Sequence, residues 1–126
     1  MTATTALNVQ ALDDPALARL CAARDKTALR HVITCNNQRL FRTAWSILKD
    51  RGEAEEAVQA AYLSAFSHID GFAGRSSLST WLTRIVINEA LGRLRAQRRR
   101  RAQLEADGVT MLDHYRETLA RGSEPS

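Results

Sequence analysis

The sequence contains few of the residues that interrupt helices. It has two prolines and six glycines in 126 residues, and aromatic residues make up only 6% of the chain. Runs of β-branched residues, which favour strands, are also scarce, whereas alanine, leucine and arginine are abundant. Because proline and glycine destabilise helix interiors and the abundant residues favour helices, the composition predicts an all-α protein.

Cysteine is also scarce, and no metal-ligand pattern is present. Cys21 and Cys35 are the only cysteines, and neither stands at a spacing such as C-x-x-C. We interpret both as reduced residues packed between helices, because cysteines of intracellular helical proteins are usually not paired. The sequence therefore predicts no metal ion and no cofactor.

Long apolar runs and a signal-peptide pattern are lacking as well. The first residues, MTATTALNVQALDD, have no basic start followed by an apolar stretch, and no segment has the length needed to span a bilayer. We therefore expect a cytoplasmic protein. With 44% hydrophobic residues, the chain is long enough for one domain with a small core.

Positive charge is concentrated in one segment, residues 78–101, LSTWLTRIVINEALGRLRAQRRRR. Seven arginines and a single acidic residue, Glu89, give this segment a net charge of +6, whereas the whole chain carries +4. A local basic tract that continues an apolar helix is typical of proteins that bind the phosphate backbone of nucleic acid. A solvated basic face or a localisation signal has the same composition, so the tract alone leaves these alternatives open.

Four polar residues of this segment fall on one side of the predicted helix. At 3.6 residues per turn they lie within about 60° of one another, and they are Arg84, Asn88, Arg95 and Arg99. Arginine pairs with phosphates, and asparagine both donates to and accepts from a base edge. We therefore predict that Asn88 contacts bases and that the arginines at the end of this line, Arg95 and Arg99, bind phosphates.

Apolar periodicity predicts a compact bundle of about four helices, over residues 14–23, 26–48, 53–69 and 78–101. Asp14, Asp25 and either Ser76 or Ser77 are the expected helix caps. The pair Asn36-Asn37 interrupts the apolar pattern of the second helix, but the pattern keeps its phase on both sides and one helix is predicted. Residues 1–13 are expected to be a flexible lead-in. Residues 102–126 are expected to be a flexible polar tail.

The helix that begins near Glu53 carries a distinct surface beside its apolar stripe. The stripe consists of Ala54, Ala57, Val58, Ala61, Tyr62, Ala65, Phe66 and Ile69. Glu56, Gln59 and Leu63 follow one another at i, i+3 and i+7 outside the stripe. A leucine beside acidic and amide groups is consistent with a docking surface for a basic partner element. The alternative is that Leu63 lies at the margin of the core and the glutamates are only solvated.

The loop before the basic helix, DGFAGRSS, places an aromatic residue between two glycines and an arginine directly after the second glycine. Phe72 and Arg75 are suited to stack on or clamp an unpaired base. A lone loop aromatic more commonly closes the end of a core, and Phe72 fits that role equally well.

Taken in order, these residues resemble the bacterial sigma-70 family, in its extracytoplasmic-function (ECF) group. The resemblance rests on EAEEAVQAAY (53–62), Phe72, TWLTRIVIN (80–88) and Leu94-Arg95, and it covers roughly residues 14–101. This part corresponds to the family's region 2, a helical domain that docks on RNA polymerase core and opens the promoter −10 element. The resemblance implies a transcription initiation factor domain without catalytic activity.

The resemblance also implies a role for each surface. In this family the acidic helix binds the clamp helices of the polymerase β′ subunit, which corresponds here to Glu56, Gln59 and Leu63. The W-L-x-R-I-x-x-N helix and the loop before it bind the non-template strand and hold a flipped −10 base. This implies DNA contacts for Phe72, Arg75, Arg84, Asn88 and Arg95, and the basic line adds Arg99.

The sequence departs from the family pattern in three ways. Glu56 stands where the family usually has aspartate, and Ala60 stands where it often has glutamate. The family also carries a second helical domain with a helix-turn-helix for the −35 element, and no such pattern is present here. We expect the chain to be a fragment that ends in the interdomain linker. An anti-sigma factor is an expected further partner.

Two other classes of function compete with this interpretation. One is a helical regulator that reads duplex DNA through its basic helix. The other is a nucleic-acid-processing enzyme, which needs a metal-binding carboxylate cluster or an activated nucleophile near the arginines. The acidic residues at 53–56 lie in a different predicted helix from the arginines, and no histidine has an evident carboxylate, serine or cysteine partner. We therefore expect no enzymatic activity.

Overall fold

The structure, a computed structural model, describes residues 9–122. Within these residues it contains no strand, and the prediction of an all-α fold is confirmed. The four α-helices are α1 (Asp14–Ala22), α2 (Lys26–Leu48), α3 (Arg51–Ser67) and α4 (Leu78–Gly122), and short 3₁₀ turns form at Val9–Ala11 and Ile69–Gly71.

The chain divides into two units, residues 1–93 and residues 94–126. Helix α4 contributes residues 78–93 to the first unit and residues 94–122 to the second. The buried core belongs to the first unit, whereas residues 98–122 of the second are all exposed. No helix in the described part of the chain combines the length and apolarity that crossing a bilayer requires.

Acidic side chains begin the first three helices. The Asp25 carboxylate accepts a hydrogen bond from the backbone of Ala28 at 2.8 Å, which confirms the predicted cap of α2. Asp13 rather than Asp14 caps α1, through the backbone N–H of Ala16. Asp50 caps α3, so this helix begins at Arg51 and not, as the sequence suggested, at Glu53.

Asp14 instead forms a hydrogen bond between two parts of the chain that are distant in sequence. Its Oδ2 accepts a hydrogen bond of 2.8 Å from the backbone N–H of Leu78, the first residue of α4. Ser77 caps the same end, because its hydroxyl accepts from the backbone N–H of Thr80 at 3.0 Å. Of the two serines proposed for this cap, Ser77 is therefore the one that the structure uses.

The core of the first unit forms where α2 packs along α3. Each helix buries one line of residues, and alanine is frequent in both lines. Helix α2 buries Ala28, Val32, Asn36, Leu40, Ala44 and Leu48. Helix α3 buries Ala54, Ala57, Val58, Ala61, Tyr62 and Ala65, which confirms its predicted stripe. Because alanine side chains are short, the two helix backbones can approach closely.

Helix α4 buries a single line of residues: Leu78, Leu82, Val86 and Ala90. Val86 on this line is fully buried, whereas Leu91 next to Ala90 is exposed. A period of four residues keeps this line facing α2 and α3 while the opposite side stays in solvent.

Asn36, which looked like an interruption of the apolar pattern, lies in the middle of the core and is 4% exposed. Its amide nitrogen donates to the carbonyl of Val32 at 2.7 Å, and its oxygen accepts from the Ser79 hydroxyl of α4 at 2.8 Å. The same oxygen accepts from the Arg39 guanidinium, which also donates to Thr83 at 3.3 Å. Because its amide nitrogen and oxygen are both hydrogen-bonded, Asn36 can be buried at little cost in free energy. Its hydrogen bond to Ser79 joins α2 to α4.

The two ends of the chain differ from the sequence-based expectation. Val9, assigned to a flexible lead-in, is buried in the core beside α2. Residues 102–122, assigned to a polar tail, continue helix α4, with pairs one turn apart such as Gln103 and Asp107 along it. Residues 1–8 and 123–126 of the predicted lead-in and tail lie outside the described residues.

Replacing Asn36 by alanine tests whether this buried amide stabilises the fold. We expect Asn36→Ala to lower the free energy of unfolding by about 1–3 kcal/mol, because it leaves the buried partners of the amide unsatisfied. The matched control is Asn37→Ala at the exposed neighbouring position, with a change within about 0.5 kcal/mol. Urea denaturation measures both, and equal effects would contradict the assignment.

Candidate polymerase and nucleic-acid interfaces

The face of α3 opposite the core carries the three residues that the sequence singled out. Glu56, Gln59 and Leu63 are all exposed, and the Leu63 side chain is 72% accessible to solvent. Their spacing places them within about 60° of one another around the helix. Leu63 therefore lies on the surface and not at the margin of the core.

A cavity of about 460 Å³ opens beside this face, between α2 and α3. Gln59 and Asn37 line it with polar groups, whereas Ile33, Phe41 and Tyr62 line it with apolar surface. The Tyr62 hydroxyl donates to the carbonyl of Ile33, and burial raises the pKa of Tyr62 to about 12, so the phenol stays neutral. The arrangement suits an apolar side chain of a partner whose backbone or polar end reaches Gln59.

An arginine of α4 reaches the acidic end of this face. The Arg93 guanidinium lies 3.1 Å from Glu56 and 3.6 Å from Glu53 of α3, and its Nε lies 3.5 Å from Glu89 one turn earlier in α4. The sequence analysis separated the arginines from these acidic residues because they belong to different helices. The structure shows that Arg93 nevertheless lies beside them. A basic partner that binds Glu56 has to compete with Arg93 for its carboxylate.

The loop between the 3₁₀ turn at Ile69–Gly71 and α4 holds its aromatic residue against the helix. The Phe72 ring packs edge-on to Trp81, with centroids 5.5 Å apart and an angle of 62° between the planes. Phe72 is half-buried, whereas Arg75 is exposed. Phe72 thus does close the end of the core, and the remaining exposed part of its ring is what is available to a ligand.

A second cavity, of about 220 Å³, lies between this loop and α1. Phe72, Ala73 and Gly74 form one side of it, and Pro15 and Arg19 lie on the other. Gly74 has a φ of +75°, which L-amino acids with side chains rarely adopt, and its position leaves 3.7 Å between an added Cβ and the Pro15 ring. Glycine at this position lets the loop turn beside α1.

On the first unit, Arg84 and Asn88 are exposed one turn apart on α4. Among the interactions of residues 9–122, the Asn88 amide makes no hydrogen bond to the backbone or to another side chain. Its donor and acceptor are therefore directed to solvent. This is the condition that contact with a base edge requires.

On the second unit, Arg95 and Arg99 are exposed in the helical segment that continues from Leu94. The neighbouring arginines 98, 100 and 101 are exposed as well. Such closely spaced guanidinium groups repel one another unless anions lie nearby, and phosphates are the anions that arginine binds best.

Sequence reasoning missed one pairing of a histidine with a cysteine. His31 and Cys35 lie one turn apart on α2, with the sulfur 3.7 Å from the imidazole, although no such partner was expected for His31. The spacing i, i+4 within a predicted helix was the signal that would have found it. The bridge from Arg93 to Glu53 and Glu56 had no comparable signal, because it joins two helices. Both cysteines are free, as predicted. Cys21 is buried, whereas Cys35 is exposed, so the interpretation of Cys35 as a residue packed between helices is wrong.

Comparison with known proteins identifies one matching family. Residues 32–100 match the family model described as sigma-70 region 2. All nine residues predicted to contact polymerase or DNA fall within the matched range. They are Glu56, Gln59, Leu63, Phe72, Arg75, Arg84, Asn88, Arg95 and Arg99.

Several curated relatives are similar to parts of the chain. The ECF RNA polymerase sigma factor SigW of Bacillus subtilis is 28% identical over 103 residues, which are 80% of this chain and 54% of that protein. The ECF RNA polymerase sigma factor SigG of Mycobacterium tuberculosis is 50% identical over 48 residues, covering 38% of this chain and 13% of its own length. The ECF RNA polymerase sigma-E factor of Escherichia coli is 38% identical over 58 residues, covering 46% and 30%. The chain thus spans about half the length of these relatives or less.

Phe72 and Arg75 lie in the same loop but differ in burial, which predicts different effects on stability. We expect Phe72→Ala to lower the free energy of unfolding by about 1–2 kcal/mol, because the ring loses its edge-on contact with Trp81. Arg75→Ala, as the control, is expected to stay within about 0.5 kcal/mol. Chemical denaturation followed by circular dichroism checks this, and an unchanged midpoint for Phe72→Ala would mean that the ring does not support the core.

Proposed function

Since the chain belongs to the sigma-70 family, matched through region 2, and its curated relatives are ECF sigma factors, we propose that it acts as a transcription initiation factor domain. In this role it binds RNA polymerase core and recognises and melts the promoter −10 element. The observation that carries the proposal is that one matched range, residues 32–100, holds both an exposed acidic and apolar face on α3 and exposed arginine and asparagine side chains on α4.

The α3 face is the proposed contact with polymerase. Leu63 offers apolar area that is not used in the core, and Gln59 lies at the edge of the cavity between α2 and α3. Glu56 supplies negative charge, which attracts a basic partner element. The clamp helices of the polymerase β′ subunit are the proposed partner.

The loop and α4 are the proposed contact with the −10 non-template strand. Phe72 offers the exposed part of an aromatic ring, and Arg75 is exposed beside it. Asn88 directs an unpaired amide to solvent on the first unit, and Arg84 lies one turn before it. A base taken out of the stack exposes both its edge and its face, which these groups can bind.

On the second unit, Arg95 and Arg99 are proposed to bind phosphates of the same strand. This assignment follows from their exposure and from the run of arginines around them. An anti-sigma factor is a further proposed partner, and the proposed location is the cytoplasm. The proposal involves no catalytic step, since binding energy alone separates the strands.

Replacing Gln59 and Leu63 together by alanine tests the polymerase contact. We expect the double variant to bind polymerase core at least about fivefold more weakly, because truncating a central apolar contact costs about 1 kcal/mol or more. Thermal melting is expected to stay unchanged, since neither side chain lies in the core. Gln10→Ala, exposed near the start of the described chain, is the control.

Biolayer interferometry with immobilised core enzyme measures both variants. Undiminished binding by the Gln59 and Leu63 double variant would remove α3 as the docking face. A large loss of thermal stability would instead indicate that these side chains support the fold.

Asn88 and Arg99 are expected to contribute to DNA binding in different ways. Asn88→Ala is expected to reduce discrimination between two −10 sequences by about 1–3 kcal/mol without changing the salt dependence, because it loses a base contact. Arg99→Ala is expected to weaken both sequences equally and to lower the log–log salt slope by up to about 0.7, because it loses a phosphate contact on a single strand. Fluorescence anisotropy with single-stranded oligonucleotides, in the presence of core enzyme, measures both.

The same assay with duplex oligonucleotides distinguishes the competing function. A transcription initiation factor prefers the single strand, because duplex binding includes the cost of unpairing. Equal or tighter binding to duplex DNA would support a regulator that reads the closed double helix. Retained sequence preference in folded Asn88→Ala would show that this residue does not read a base.

A further inference from the structure

The second unit carries an apolar helix face that the proposed function does not use. Five large apolar side chains of α4 are between 46% and 71% exposed, and they are Leu104, Met111, Leu112, Tyr115 and Leu119. Together with Gly108 they fall within about 100° of the helix circumference. Charged residues such as Asp113 and Glu117 lie on the other side of the helix, so this face is the apolar side of an amphipathic helix.

Gly108 in the middle of this face has no structural reason within the chain itself. A Cβ added at this position would meet nothing within 4 Å, and the residue has a helical conformation. Glycine in a helix interior costs about 1 kcal/mol relative to alanine. The missing side chain leaves space on this face for a side chain that packs on the helix from outside.

The residues of this face are arranged symmetrically about the midpoint between Met111 and Leu112, so the face reads alike in both directions along the helix. Gly108 and Tyr115 lie equally far from the midpoint between Met111 and Leu112, and so do Leu104 and Leu119. We propose that this face pairs with the same face of a second copy of the chain, with the two helices antiparallel. Tyr115 of each copy then packs over Gly108 of the other, and Leu104 of each packs against Leu119 of the other.

The largest side chain of the face thereby meets the position that has no side chain. A parallel pair in register would instead place Tyr115 against Tyr115 and leave a gap between two glycines. Since interfaces pack as densely as protein interiors, the antiparallel pairing accounts for the position of Gly108 and the parallel one does not.

The charges favour the same direction. Glu105 and Arg116 lie on one edge of the face, and in the antiparallel pair Glu105 of one copy lies about 3 Å along the axis from Arg116 of the other. The two-fold symmetry repeats this pair, so each dimer has two such contacts.

The basic tract at residues 98–101 gives a second electrostatic argument. An antiparallel pair separates the two tracts by about 35 Å along the axis, several times the Debye length of about 8 Å at physiological salt. A parallel pair brings eight arginines side by side. Both electrostatic arguments therefore favour a second copy in the antiparallel direction.

The direct test is the association state of the full-length chain, freed of nucleic acid, over about a hundredfold range of concentration. Sedimentation equilibrium is expected to show a reversible monomer–dimer equilibrium. Leu112→Glu is expected to raise the dissociation constant at least tenfold. Val109→Glu is the matched control, because Val109 is exposed on the same helix but outside the face, and it is expected to leave the dissociation constant within twofold.

Gly108→Leu tests the direction of pairing. Leucine favours the helix and adds apolar area, so it strengthens any pairing that leaves space at this position. In the antiparallel dimer it collides with Tyr115 of the other copy, and we expect at least tenfold weaker association with undiminished helix content by circular dichroism. Exchanging the charges of Glu105 and Arg116 gives a second test of the direction. Glu105→Arg alone is expected to raise the dissociation constant of the dimer, and adding Arg116→Glu is expected to restore it.

A chain that stays monomeric over the whole range would overturn the proposal. So would equal losses from Leu112→Glu and Val109→Glu, because association would then not use this face. Tighter association of Gly108→Leu would overturn the antiparallel direction and favour a parallel pair or the helix of a different protein.

Discussion

The packing of α3 against α2 is the contact on which the rest of the first unit depends, and the buried lines of both helices contain alanines, among them Ala28 and Ala44 in α2 and Ala57 and Ala61 in α3. Larger side chains such as Leu40 and Val58 are buried on the same two helices. The first unit depends on this contact, because α1 packs against α2 and the 3₁₀ turn at Ile69–Gly71, and α4 is joined to α2 by the hydrogen bonds of Asn36 and Arg39. Loss of close packing here would remove the support of every other helix.

The same contact decides which surfaces remain for partners. Because α3 turns its alanines inward, Glu56, Gln59 and Leu63 face solvent, and Gln59 also lines the cavity between α2 and α3. On α4 the buried line that ends in Ala90 leaves Arg84 and Asn88 outside. The two surfaces are not electrostatically independent, since Arg93 of α4 pairs with Glu53 and Glu56 of α3. A polymerase contact at Glu56 therefore has to replace an internal ion pair of modest strength, which favours selectivity over affinity.

Local rules predicted much of the fold. Asp25 and Leu48 mark the ends of α2 as expected, because a capping carboxylate and a turn act within a few residues. The stripe of α3 was predicted almost completely, because a helix with one buried face records its orientation in its own sequence. Two of the errors lie where a residue acts over a distance: Asp14 serves α4 and not its own helix, and Val9 is held by α2 and not by its neighbours in the chain. Neither contact leaves a pattern in the residues around it.

The candidate surfaces follow the same division. Sequence alone determined the helices of the first unit to within a few residues, the basic tract and the resemblance to sigma-70 region 2, because each depends on the order and period of residues in one segment. Only the tertiary structure decided that Asn36 is a core residue, that Phe72 packs on Trp81, and that Arg93 holds Glu56. These assignments join residues that are 9 to 43 positions apart in the sequence. The physical reason is that hydrogen bonds, ring contacts and ion pairs form between whichever groups the packing of helices brings within a few ångströms, and the periodicity of a single helix carries no information about its neighbour.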